Sequence, residues 1–257
     1  MSGPPSWMTD ESTRRKYGYS TFLYQKLRSN DSNYMLWNRG TEAGVYLRYI
    51  VDHYDDLPDI MIFLHAHPEH HQPHWLEMMG CINPNATYLN FNFQNLCRHT
   101  SFWKALEIWV EQCWRDVLKI VWELEDNIQE FNRRVPTSKP IMVCFSGAQQ
   151  FIISREKIRT RPLRIWKKLL QIIGEQPACR IGEPDYDNLF AFKTSQKKVG
   201  PEPSTGVGAN TQGGAMEHLA HVVFGGHGLD MEYPNMDVIC QHFIPNCPHS
   251  PCLQKRN

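Results

Sequence analysis

Residues 41–67, TEAGVYLRYIVDHYDDLPDIMIFLHAH, change periodicity halfway along. Apolar residues at 43, 46, 47, 50 and 54 recur at the spacing of one helical face, which predicts a helix from Thr41. Leu57-Pro58 ends it, because the residue before a proline is pushed out of the helical region. Asp59 to Leu64 then run apolar without alternation, the pattern of a fully buried strand. A helix that feeds such a strand predicts an α/β protein: a single layered sheet with flanking helices.

The 257 residues suffice for one large domain with a substantial core. Lys plus Arg equals Asp plus Glu at 27 each, so no overall field draws nucleic acid or anionic lipid. No run approaches the roughly 20 apolar residues of a membrane-spanning helix, and the polar start lacks the apolar centre of a secretory signal. As written the chain reads as soluble and cytoplasmic, or as lumenal if a leading anchor is missing. Eight cysteines at 81, 97, 113, 144, 179, 240, 247 and 252 form no dense framework and leave the compartment undecided. Two sequons, Asn30-Asp31-Ser32 and Asn85-Ala86-Thr87, matter only in a secreted chain.

Residues 1–17 are expected as a disordered lead, 18–230 as one α/β domain and 231–257 as an irregular Cys/His/Pro-rich tail. Within the domain, Ser20 to Tyr24 and Tyr34 to Trp37 suit strands. Residues 101–134 predict one long helix, its stripe running through Leu106, Trp109, Cys113, Val117, Ile120, Leu124, Ile128 and Phe131. A strand pair or bent strand follows in Ile141–Phe145 and Gln150–Ile153. Ser154 then caps a helix that starts at Arg155 and includes Ile165-Trp166 and Leu169-Leu170. The Gly/Ser/Pro-rich stretch 193–214 predicts a flexible loop, and Met216–Phe224 a short helix.

Chemistry concentrates in histidines. In a strand, residues two apart point the same way, so His65 and His67 project together from the strand's end, where they can share a divalent metal. Imidazole suits zinc well, and manganese also remains open. On the later helix Glu217 and His221 stand at i and i+4, which offers a general base or a further ligand in Glu217. Arg155 opens a helix, where anions are favoured. In the tail, Cys240, Cys247 and Cys252 with His242 and His249 offer a zinc set of unfamiliar spacing.

Three blocks carry a resemblance: Asn38-Arg39-Gly40-Thr41-Glu42-Ala43, then Tyr46 through Asp59, then Phe63-Leu64-His65-Ala66-His67. They resemble the signature of a eukaryotic family known only as a domain of unknown function, with further similarity in Ala148–Arg159 and Met216–Gly225. That family distantly resembles the nucleotide-sugar glycosyltransferases of the A-type fold. The resemblance implies that His65-x-His67 stands where those enzymes carry a metal-binding D-x-D, and that Glu217 stands at the base position. It also implies a first strand that is not found before Ser20. Asn38, Arg155 and His221 are expected at the substrate.

Together these features predict a metal-dependent transferase using manganese or zinc on a small-molecule or glycan substrate. Two alternatives stay open: a metal-dependent hydrolase, and a non-catalytic remnant or binding module of the same fold.

Overall fold

The computed structural model describes residues 10–24, 30, 34–35, 40–65, 67–91, 95–99, 107–146, 149–176, 179, 211–226, 228–229, 236–248, 250 and 252. The predicted helix is present as α2, Thr41–Asp52, preceded by α1, Glu11–Tyr17. The strand predicted after it is β1, Ile60–Phe63. Two short elements follow, α3 (Trp75–Met79) and β2 (Tyr88–Asn90), and then β3 (Asn95–His99). The middle of the chain holds α4 (Glu107–Val121), α5 (Ile128–Arg134), β4 (Met142–Ser146) and β5 (Phe151–Ser154). After β5 come α6 (Arg155–Arg159), α7 (Leu163–Leu170) and a π turn, Gln171–Glu175. The described chain ends with α8 (Thr211–Val223) and α9 (Met236–Cys240).

Helices and strands are mixed as expected, but among the described residues the strands form two antiparallel sheets in place of one. In the larger, β5 lies between β1 and β2, with Ile62 opposite Ile152 and Leu89 opposite the same residue. In the smaller, β3 pairs with β4. The two segments expected as a strand pair or one bent strand, β4 and β5, therefore belong to different sheets.

The apolar run of β1 has a different origin from the one the sequence implied. The strand is at the sheet's edge, and its burial alternates between partial and full. Met61 and Phe63 enter the main core beneath α2 and α8, whereas Ile60 and Ile62 pack on a second cluster around Met78, Phe91 and Phe243. Apolar cores on both faces remove the polar alternation that an antiparallel strand with one wet face would show. The central β5 is buried throughout, with Phe151 and Ile153 in the main core and Ile152 in the second.

Several boundaries differ from expectation. Residues 11–17 of the supposed lead are helical, started by the Asp10 carboxylate accepting from the Ser12 and Thr13 N–H groups. Ser20 to Tyr24 form no strand: the Phe22 ring packs on Tyr49 and His53, and the Tyr24 hydroxyl donates to Asp52. The long helix breaks after Val121, where Glu123 takes φ 56° and the Asn127 side chain caps α5 by accepting from Glu130 N–H. Arg115 ties α4 to the far end of α5 by donating to the Val135 and Pro136 carbonyls. Ile128, expected in the stripe, is 51 % exposed. Ser154 caps α6 by accepting from Lys157 N–H at 3.1 Å, but Pro162 divides α6 from α7.

The tail is not irregular throughout. Within it, α9 places Ile239 in the second core beside Phe243 and Cys247. Its cysteines hold no zinc set, because Cys247 is bonded to Cys81 and Cys252 to Cys240. The other two disulfides are Cys97–Cys144, directly across the β3–β4 pair, and Cys113–Cys179. Most of the predicted loop 193–214 lies outside the described residues, and its last four residues form the start of α8.

Candidate functional site

A cavity of about 220 Å³ opens where α2, the end of β1, the approach to β5 and the start of α8 meet. Glu42, His65, Gln149 and Glu217 line it, with Thr41, Gly213 and Gly214 completing the wall.

Local backbone chemistry places each of these groups. Gly40 caps α2 at φ 67°, and a Cβ there would lie 2.6 Å from Ile173 Cγ2 and 2.7 Å from Ile173 O. Only glycine meets both demands, since L side chains avoid positive φ and no space exists for one. Thr41 also takes a positive φ of 50°, a strained choice for a β-branched residue. Its hydroxyl donates to Gly40 O at 2.8 Å. Glu42 follows in the first turn of α2, where unsatisfied N–H groups favour a carboxylate. His65 stands two residues beyond β1. Gln149 is 3 % exposed; its Nε2 donates to Gly213 O at 3.1 Å, and its own carbonyl accepts from the Tyr46 hydroxyl at 3.0 Å.

Two buried atoms at the cavity have no hydrogen-bond partner among the described residues: Gln149 Oε1 and His65 Nε2. Buried polar atoms are usually satisfied, so their position on a cavity wall marks them for a ligand. Glu217's carboxyl is pushed above the usual carboxylate range, first by burial and then by the Glu42 charge. Burial holds the His65 imidazole below its ordinary value, with Glu42 opposing and His71 assisting. The cavity therefore combines a carboxyl that keeps its proton unusually long with an imidazole that stays neutral. Among the described residues, no lysine or arginine lines it.

The sequence-predicted residues separate. His65 and Glu217 share the cavity. His67 turns away: its side chain is 58 % exposed, pairs with Glu69 at 3.2 Å, and stacks on His70 at a ring distance of 5.2 Å. His67, Glu69 and His70 have ligand atoms within 4.8 Å of one another, and they form the group of metal-ligand spacing among the described residues. Arg155 is a fastener, donating to Leu57 O and pairing with the Asp59 carboxylate. Its own N–H donates to Asp59 O at 2.9 Å. His221 is 3 % exposed within α8 and is not part of the cavity wall. Asn38 lies outside the described residues.

Glu42 and Gln149 were missed as site residues. Glu42 had a signal, an acid two residues after a glycine at a helix start. Gln149 had none, since a polar residue before an apolar strand is ordinary.

The motif Tyr46–Asp59 is mostly structural. The Tyr54 hydroxyl donates to Arg161 O at 2.7 Å, and Arg159 donates to the Tyr54 and Asp55 carbonyls. With Arg155, these bonds tie the α2–β1 connection to α6.

Among the described residues, no helix is long and apolar enough to cross a membrane. Residues 2–242 match the family model described as "Protein of unknown function (DUF3431)". No curated protein and no solved structure matches the chain.

Proposed function

Since the chain belongs to the DUF3431 family of unknown function, its activity is read from the site, and we propose a glycosyltransferase-like enzyme in which Glu217 accepts the proton of an acceptor hydroxyl. The observation that carries the proposal is the meeting of Glu217 from α8 with His65 and Glu42 on one cavity.

Transfer to a hydroxyl requires a base near the attacking oxygen. A carboxylate raised toward the working pH is a better base than an ordinary one, and Glu217 is shifted in that direction. Charge that develops at a sugar's anomeric carbon is positive, and two facing carboxyl groups suit it. Gln149 Oε1 and His65 Nε2 supply hydrogen bonds for sugar hydroxyls. At about 220 Å³ the cavity falls below the usual 300–1,000 Å³ of ligand pockets, so it takes one ring or hydroxyl-bearing group. None of the described residues on its wall is a lysine or arginine that would pair with a diphosphate.

The test is turnover of a panel of activated sugars, including sugar nucleotides. Glu217→Gln should lower kcat by about 100-fold or more with the circular dichroism spectrum unchanged. Glu42→Gln should move the acidic limb of the pH–rate profile to lower pH, because it removes the charge that raises Glu217. Equal turnover in Glu217→Gln would sink the proposal.

Metal-assisted hydrolysis is a second reading, favoured by the spacing of His67, Glu69 and His70. Two imidazoles and a carboxylate fit zinc, which in such a site acidifies a bound water; manganese is the other candidate. Elemental analysis should find stoichiometric metal that is lost in His67→Ala/His70→Ala, and metal-free wild-type protein would remove this reading.

A further inference from the structure

The eight cysteines form four disulfides and leave none free. Three of the pairs join residues 166, 47 and 66 positions apart, so they depend on the tertiary fold. Cys113 is 0 % exposed and Cys179 4 %, which puts that bond beyond reach once the core has closed. Its oxidation has to accompany folding. Each bond forms when two thiols lose two protons and two electrons to an oxidised dithiol, the disulfide of an oxidoreductase. Such exchange persists in secretory and extracellular compartments and is rare in the cytosol.

The second sequon gains its meaning from that setting. Asn85 is exposed on a tight turn whose ends are fixed: its N–H donates to Asn83 Oδ1 and the Ala86 N–H to Asn83 O, both at 2.9 Å. Ala86 is 2 % exposed and pins the turn to the second core, while Thr87 is exposed. The Asn83 side chain also donates to Gln241 O, next to the disulfide-bonded tail. The Asn85 side chain therefore faces solvent from a rigid base. Its turn adjoins the second core, across the sheet from α2 and α8, so a bulky group there leaves the cavity open.

We infer that the protein folds in an oxidising secretory compartment and carries an N-linked glycan on Asn85. In that step the Asn85 amide nitrogen bonds to C1 of a lipid-linked oligosaccharide; the C1–O bond to the pyrophosphate breaks, the amide gives up one proton, and the lipid pyrophosphate departs. The inference stands whether or not Glu217 is a base.

The test uses the full chain isolated from the cells that make it. Alkylation before reduction should label no cysteine, and alkylation after reduction all eight. Peptide N-glycosidase should shift the protein's mobility and convert Asn85 to Asp in the peptide mass spectrum. Asn85→Gln should abolish the glycan at this position with the disulfides intact, and Thr87→Ser should retain it. Alkylatable cysteines in the folded protein, an unmodified Asn85, or a glycan on Asn30 alone would overturn the inference.

Discussion

The two faces of the three-stranded sheet are built by different means. On one, α2, α4, α7 and α8 bury a continuous core that includes Trp114, Trp166 and Phe224. On the other, two five-residue helices, α3 and α9, cover a much smaller cluster around Met78, Ile152, Ile239 and Phe243. Helices that short do not hold themselves in water. Here Cys81–Cys247 joins the tail beyond α9 to the chain just after α3, and Cys240–Cys252 closes the tail on itself. One face is held by apolar area; the other supplements a small core with covalent bonds, as small secreted domains do. The cavity lies at the edge of the helical face, where its walls are set by packing.

The contrast predicts its own largest effect. Cys81→Ser/Cys247→Ser reopens a span of 166 residues, which in the chain-entropy picture is worth about 5 kcal/mol. Hydrogen exchange should then rise first around α9 and at the antiparallel bridge that pairs Ile82 with Phe243, with α2 and α8 still protected. Equal loss of protection on both faces would mean that the faces are a single cooperative unit.

Next in size is a comparison of neighbours on β5. Ile152 and Ile153 are both 0 % exposed but enter opposite cores. Each change to alanine should cost about 2–5 kcal/mol by denaturant unfolding, with Ile153 toward the upper end. The larger core is walled by long helices and relaxes less around a void. A greater cost at Ile152 would reverse the ranking of the faces.

The smallest effect concerns the cavity. Burial and Glu42 raise Glu217's carboxyl in the folded chain, so the native state keeps that proton to higher pH than the unfolded chain does. The associated stability is fully present below the ordinary carboxylate range and is lost as pH rises through the folded value. Glu217→Gln should therefore melt higher than the wild type at neutral pH, with the difference closing in acid. A variant that melts lower at every pH would show that Glu217 stabilises the fold.

How much of this was legible in the sequence follows from where the signals were local. Tyr46, Leu47 and Ile50 announced α2 by spacing, and Ser154 announced the start of α6 by its capping side chain. The break after Val121 was hidden because Ile120 and Val121 before it and Leu124 and Phe131 after it are all buried, so the apolar rhythm continues through a backbone reversal. The sheet pairing was hidden for a related reason: a strand between two cores has the same apolar composition in either direction. At the site, His65 was visible as a polar residue delivered by an apolar strand, and Glu217 as a carboxylate on a helix. Their meeting, and the part of Gln149, depend on contacts between distant segments, which no local pattern records.

The π turn after α7 determines more than its own conformation. Gly40 rests directly on Ile173, and Gln212 donates to Ile172 O at 2.8 Å and to Gln176 O at 2.9 Å. Gly40, two residues before Glu42, and Gln212, five residues before Glu217 on the same helix, are thus both moored to this segment, which has no side chain on the cavity wall. The gauge between the two carboxyl groups is set from outside the cavity, so a substitution at Ile173 would retune their chemistry without touching either one.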